Sequence, residues 1–377
     1  MDTSHRIERF RAFMEEREIA LSLITVPDDQ YYLSGFKAVV YSRPIDLFIT
    51  AAETGLVVPA LEEVHAREEA AVDQLLVYYE HPEKADGGKS HVEHLDRILG
   101  RLRPGSRIGV QAGAIPWALA RRFLDAGFQL ADVGPRIEEM RFIKDDAELE
   151  VMMEAGRLAS LGVGASLATL RPGISEIDMD GAGNRAILAE VSAKHPGATL
   201  DLFAMSPSGP VRTVMPHVFS NTRPIQAGDV IIHSRQVALN GYRGESERTC
   251  FVGKPSPRQE DMFHLMLEAQ LAGLDALRPG VPMKEVDSAS RRVFQKAGLG
   301  EYFVHRTGHG LGLSVHEPPF LRFDEDMLVK ERMVFTVEPA IFVPGLGGFR
   351  HSDTAIVTEG GNRITTEHPN DLGSMTF

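Results

Sequence analysis

Glu338 lies in the run MVFTVEPAIFV, where an unpaired carboxylate would be costly to bury. The second half of the chain sets other polar side chains into similarly apolar, strand-like surroundings. They are MPHVFSNTRP with His217, GDVIIHS with His233 and Ser234, GYRGESERTCFVG with Glu245 and Glu247, RTGHGLGLSVHEPP with His309, His316 and Glu317, and FRHSDT with Arg350, His351 and Asp353. One buried carboxylate is commonly structural, but several in one domain, with histidines on intervening loops, read as a reaction site. Glu245 and Glu247 alternate on a predicted strand and share a face, and flanking Tyr242 and Phe251 point to burial. Closely spaced carboxylates in low dielectric share a proton or demand a cation. A guanidinium, amidinium or ammonium on a substrate would supply one through paired hydrogen bonds. Histidine is the side chain suited to moving a proton near neutral pH, which gives His217 the role of proton shuttle. His309 lies between glycines that allow close backbone approach. His233 reads as a core-facing strand histidine, and His351 and Asp353 as partners of Arg350.

These residues need a scaffold, and the patterning supplies two. Ile7, Phe10 and Met14 predict an N-terminal helix, and LSLITV, PIDLFIT, GLVVPA, RIGVQAG and FQLADVG predict strands. A helix capped by Ser90 with Glu93 lies between them. Strands alternating with helices make residues 1–140 a compact α/β domain. A new long helix starts at Asp145, with Glu148 completing a capping box, so residues 141–377 form a second domain. That half repeats itself: ASLATLRPG leads into ISEIDMDGAGNRAIL, and LAGLDALRPG leads into VPMKEVDSASRRVFQ. Arg-Pro-Gly stops each helix before the next begins, which predicts a duplicated helix–helix unit.

Composition narrows the partners. A formal charge of -13 argues against nucleic acid or an anionic membrane, both of which need clustered Lys and Arg. Cys250 is the only cysteine, so an intrachain disulfide and Cys-rich zinc sites are excluded. The start, MDTSHRIERFRAFMEEREIA, carries charges throughout and does not read as a signal peptide, and no run approaches a membrane span. A cytoplasmic protein acting on a small molecule is expected.

In order and spacing the segments of the second half resemble the pita-bread hydrolases, the superfamily of creatinase, prolidase, aminopeptidase P and methionine aminopeptidase. The likeness runs over roughly residues 140 to 365. It implies a pita-bread domain with pseudo-twofold symmetry behind a creatinase/prolidase-type α/β domain. The five ligands of the two-metal members fall on Ser234, Glu245, His309, Glu338 and Ser352, so only three can coordinate well. That loss, with YYLSGFKAVVYSRPIDLFIT in the first domain, places the likeness nearest the metal-independent creatinase branch. The resemblance then implies His217, His309 and His316 as catalytic residues, Glu247, Glu338 and Glu245 as substrate-binding, and no cofactor. It also implies a homodimer in which Arg43 enters the partner's site. One carboxylate-binding arginine of creatinase falls on Phe320, leaving Arg243 or Arg322 to substitute. The expected activity is hydrolysis of a C–N bond in a small guanidino, amidino or related acid. The alternative is a metal-dependent Xaa-Pro dipeptidase or aminopeptidase holding one Mn, Fe, Co or Zn ion at Glu245, His309 and Glu338, with His316-Glu317-Pro318 as an HExP-like pattern. A non-catalytic binding protein on the same scaffold is the third reading.

Overall fold

A computed structural model describes residues 3–84 and 88–377, and the chain divides into one unit ending at Arg141 and another beginning at Phe142. In the first, α1 (Ser4–Glu16) buries Ile7, Phe10 and Met14 on one face. Strands β1 (Ile19–Ile24), β2 (Asp46–Thr50), β3 (Thr54–Pro59), β4 (Gln74–Tyr78), β5 (Arg107–Val110) and β6 (Gln129–Asp132) form a mixed sheet in the order β4-β3-β2-β1-β5-β6. Around it run α2 (Pro27–Ser34), α3 (Glu63–Glu69), α4 (His91–Leu99), α5 (Trp117–Asp125) and α6 (Gly134–Phe142). Leu21, Phe48, Val57 and Ile108 from the sheet meet Leu95, Ile98 and Phe123 from α4 and α5 to make the core. Ser90 is the N-cap residue of α4 but makes no side-chain cap bond; Glu93 accepts instead from the Lys89 amide, one residue early.

The second unit opens on α7 (Asp146–Leu167), whose capping box between Asp145 and Glu148 is complete on both sides. The helix–stop–helix unit read twice in the sequence is built twice. α7 is followed by α8 (Glu176–Lys194), and after α9 (Gly209–Arg212), α10 (Pro257–Ala276) is followed by α11 (Met283–Lys296). The helix pairs pack α7 on α8 and α10 on α11. Between and after them lie β7 (Leu200–Met205), β8 (Val230–Leu239), β9 (Tyr242–Phe251), β10 (Gly308–Gly310), β11 (Glu317–Leu321), β12 (Val334–Val337), β13 (Ala340–Val343), β14 (Gly347–Arg350), β15 (Ser352–Thr358) and β16 (Gly361–Ile364). The large sheet runs β11-β10-β12-β15-β9-β8-β7, with β16 on β15, and β13 pairs with β14 apart from it.

The centre of this sheet is the hairpin β8–β9, registered from Val230 opposite Phe251 to Leu239 opposite Tyr242. Asn240 and Gly241 close it with φ 48 and 86°, the doubly positive pair of a type I′ turn, which matches the twist of the strands. Behind the hairpin α7 comes so close that a Cβ on Gly244 would lie 2.3 Å from the Gly156 amide nitrogen. Only a glycine fits there, and the strand bearing Glu245 is held directly against the helix backbone.

Candidate active site

Side chains alternate along a strand, so Glu245 and Glu247 of β9 project to the same face. Across β8 they stand opposite Gln236 and Ser234, and across β15 Ser352 is the partner of Glu247. β10 brings in His309, and Glu338 follows the end of β12 with its amide donating to the Thr307 carbonyl at 2.7 Å. β10 and β12 can meet so closely because Gly308 has no Cβ; one would lie 1.9 Å from the Thr336 carbonyl oxygen.

His309 Nε2 is 3.3 Å from Glu338 Oε1 and 4.0 Å from Glu245 Oε2. All three side chains are buried, with His309 at 0% exposure and Glu338 at 8%. His309 Nδ1 lies 2.9 Å from the Gly310 carbonyl, which can only accept, so Nδ1 carries a hydrogen, and whenever the ring is neutral an Nε2 lone pair faces the carboxylates. Ligand atoms of Glu245, His309 and Glu338 all lie within 4.8 Å of one another. Two carboxylates and an imidazole form a donor set suited to Mn, Fe, Co or Zn. The residues therefore fit a divalent ion, and the expectation of no cofactor is corrected. The physical reason is that three of the carried-over ligands already converge, whatever the two serines lack.

The electrostatics are those of crowded acids. Burial and the neighbouring Glu338 push Glu245 above the usual carboxylate range. Burial pushes Glu247 up to about 8 although Arg350 opposes it. Burial would raise Glu338 too, but the hydrogen bond and charge of His309, with Arg350, outweigh it and hold Glu338 low. His309 moves up: its burial disfavours the cation, but Glu338 and Glu245 overcome that. A proton thus competes with a metal ion for Nε2.

Two cavities open on this cluster, one of about 610 Å³ and one of about 230 Å³, and His217, His316, Glu338 and Arg350 line both. His217 is exposed on the loop between α9 and β8. His316 stacks on His309 with ring centroids 3.9 Å apart, and burial with the neighbouring His309 charge lowers its pKa to about 4. Glu247 is not free to take a substrate cation, because Arg350 Nη2 donates to its Oε1 at 2.7 Å and Arg350 Nε lies 2.5 Å from Oε2, off-line for a second hydrogen bond. Arg350 is therefore the partner of Glu247, not of His351 or Asp353. Those two point to the opposite face, where His351 meets the edge of Phe263 and Asp353 pairs with Arg248 at 2.9 Å. His233 is fully buried, 2.8 Å from Ser206 Oγ. Glu317 of the HExP-like pattern is buried against Lys144 at 3.1 Å.

The arginines sort differently from the sequence reading. Arg243 is tied to Asp201 and the Leu313 carbonyl. Arg322 lines the larger cavity but is held by both oxygens of Asp324. Arg43 sits on an exposed stretch, 2.7 Å from Glu80. The residue the sequence reading passed over is Arg306, three positions before His309 in the same segment. It lines the larger cavity, half-buried, 4.2 Å above the ring of Phe320, with Nη2 3.4 Å from His316 Nδ1. Among the described residues no carboxylate pairs with it. The signal was Phe320 itself, an aromatic ring where an arginine was expected and a face on which a guanidinium can rest.

Comparison with known proteins bears on both halves. Residues 150–359 match the model of metallopeptidase family M24, and residues 6–143 match the creatinase/prolidase N-terminal domain. The fold is thus the creatinase/prolidase-like α/β domain followed by a pita-bread domain. The chain is 28% identical over 372 residues to the Xaa-Pro dipeptidase of Pyrococcus furiosus, covering 97% of this chain and 99% of that protein. It superposes on the Xaa-Pro dipeptidase of Bacillus anthracis with a TM-score of 0.87 and 26% identity, covering 100% of both chains. It superposes on dipeptidase PepE of Mycobacterium ulcerans with a TM-score of 0.86 and 30% identity, covering 100% of this chain and 99% of that one. These end-to-end matches to dipeptidases, with the converging ligand triad, overturn the placement nearest the metal-independent creatinase branch. The expected metal-free hydrolysis of a guanidino or amidino acid is corrected with it.

Proposed function

Because the chain belongs to metallopeptidase family M24, it is a hydrolase acting on C–N bonds, and we propose that it is a metal-dependent dipeptidase of the Xaa-Pro type. The observation that carries this reading is the buried triad of Glu245, His309 and Glu338, with the His309 tautomer fixed so that Nε2 faces the two carboxylates. A divalent ion held there would polarise a scissile carbonyl and lower the pKa of water. The protein's own groups do the rest. Arg306 takes the carboxylate of the dipeptide, and Phe303, Phe323 and Phe342 wall the larger cavity for an apolar side chain or a prolyl ring. His217, which reaches both cavities, moves a proton from water toward the leaving nitrogen as the C–N bond breaks. His316, held neutral by its surroundings, accepts from Arg306 at Nδ1 and keeps that guanidinium aimed into the cavity. A cytoplasmic homodimer, with Arg43 near the partner's site, completes the reading; no helix among the described residues is long and apolar enough to cross a membrane.

The test is hydrolysis of Gly-Pro by protein stripped with chelator and then supplied with Mn²⁺ or Co²⁺. Cleavage that depends on the added ion is expected. Undiminished turnover in the presence of chelator would refute the proposal.

A further inference from the structure

The buried centre holds more charge than its three ligands. Glu245, Glu247 and Glu338 are 4, 2 and 8% exposed, and Arg350, at 5%, lies among them. The guanidinium is committed to Glu247 through the contacts at 2.7 and 2.5 Å. Glu247 has hydroxyl-bearing residues for its other neighbours: Ser234 stands opposite it across β8, and Ser352 across β15. The Ser352 hydroxyl is in turn occupied, donating to Glu245 Oε1 at 2.9 Å. Gln236 donates to the other oxygen of Glu245. Where a second ion would need anionic ligands, the strands therefore present neutral hydroxyls, an amide and a fixed cation.

Charge balance decides what this arrangement tolerates. In the ionised forms that a bound cation would favour, three carboxylates and one guanidinium leave an excess of two negative charges, which one divalent ion cancels. Two divalent ions would leave a buried excess of two positive charges, and uncompensated charge in a dry site costs several kcal/mol per ion. We infer that Arg350 is the second cation of this centre: the site takes one divalent ion at Glu245, His309 and Glu338, and Ser234, Ser352 and the Arg350–Glu247 pair offer no free anionic ligand to a second. The inference rests on the metal-dependent reading and adds the stoichiometry and the residue that sets it.

The experiment is Mn²⁺ titration by calorimetry, with elemental analysis after desalting, on the full chain and three variants whose folding is checked by circular dichroism. Wild type should hold about one Mn²⁺ per chain. Glu247→Gln removes a negative charge and should weaken Mn²⁺ at least tenfold. Arg350→Met removes the fixed cation and should tighten Mn²⁺ at least tenfold or admit a second equivalent. The double variant restores the original balance and should return to one ion of near wild-type affinity; it also serves if Arg350→Met alone does not fold. Two ions in wild type, or Mn²⁺ affinities that ignore Glu247→Gln and the double variant alike, would overturn the role of Arg350 while leaving a metallopeptidase. No bound ion in wild type would overturn it together with the metal-dependent reading itself.

Discussion

Replacing Arg306 with glutamine tests how the enzyme recognises its substrate. The guanidinium rests on Phe320 and, among the described residues, has no carboxylate partner, so its hydrogen bonds are available to a substrate carboxylate. Hydrogen bonds to a charged group contribute about 1.5–3 kcal/mol. Arg306 is half-buried, which screens the pair and argues for the middle of that range, about 2 kcal/mol. At 1.36 kcal/mol per factor of ten, kcat/KM should fall about 30-fold. The carboxylate takes no part in the bond changes and is held in ground state and transition state alike, so the loss should appear in KM with kcat little changed. The assay is initial rates with Mn²⁺ on Gly-Pro and on its C-terminal amide. Amidation should cost the wild type about the same 30-fold, in line with the lost charged hydrogen bonds, and cost Arg306→Gln almost nothing. If the variant keeps the wild-type preference for the free acid, Arg306 does not bind the carboxylate and the reasoning fails.

Two further expectations concern stability. Burial raises the pKa of Asp46 from 3.8 to about 7, and its Oδ2 has no hydrogen-bond partner. Below 3.8 both folded and unfolded chains hold the proton; between 3.8 and about 7 the unfolded chain ionises first, so stability drains away as pH rises through that window. Three pH units at 1.36 kcal/mol each set the loss on the order of 4 kcal/mol, and Asp46→Asn should remove this slope, with melting curves from pH 4 to 8 as the check; parallel slopes for both proteins would contradict it. Gly244→Ala would drive a methyl to within 2.3 Å of the α7 backbone. Overpacking against a main chain that cannot rotate away should cost about 3 kcal/mol, read as a lowered urea midpoint; an unchanged midpoint would mean that α7 is free to shift.

Much of the frame was legible in the chain because local rules govern it. The 3- and 4-residue spacing of Ile7, Phe10 and Met14, the Asp145–Glu148 capping box and the two Arg-Pro-Gly stops each encode their element within a few residues. The candidate site was legible as a set of types: Glu245, His309 and Glu338 were named together as a possible ligand group, and they converge. What could not be read was the partnering among charges. Glu247 looked ready to hold a substrate cation, and only the fold shows Arg350, 103 residues away, already paired with it. The loss of two ligands to Ser234 and Ser352 argued for no metal. That argument counted missing carboxylates without knowing that a guanidinium lay beside those that remain. Arg322 was chosen for its nearness to Phe320 and Arg243 for its place just ahead of Glu245 and Glu247, whereas Arg306 reaches Phe320 because β10 and β11 pair antiparallel.

The hairpin β8–β9 also fixes an order of events. Its paired residues are all close along the chain, so its contacts are the most local that the large sheet makes around the site. When Phe251 is made, Glu245 and Glu247 are both in the chain, at strand positions that share a face, while His309, Glu338 and Arg350 have yet to be translated. The acidic pair therefore precedes its countercharge through the making of α10 and α11, and Arg350 arrives only at the end of β14, just before β15. The candidate site is completed by its most distant contacts, so a chain ending before β14 has the acidic pair without its countercharge.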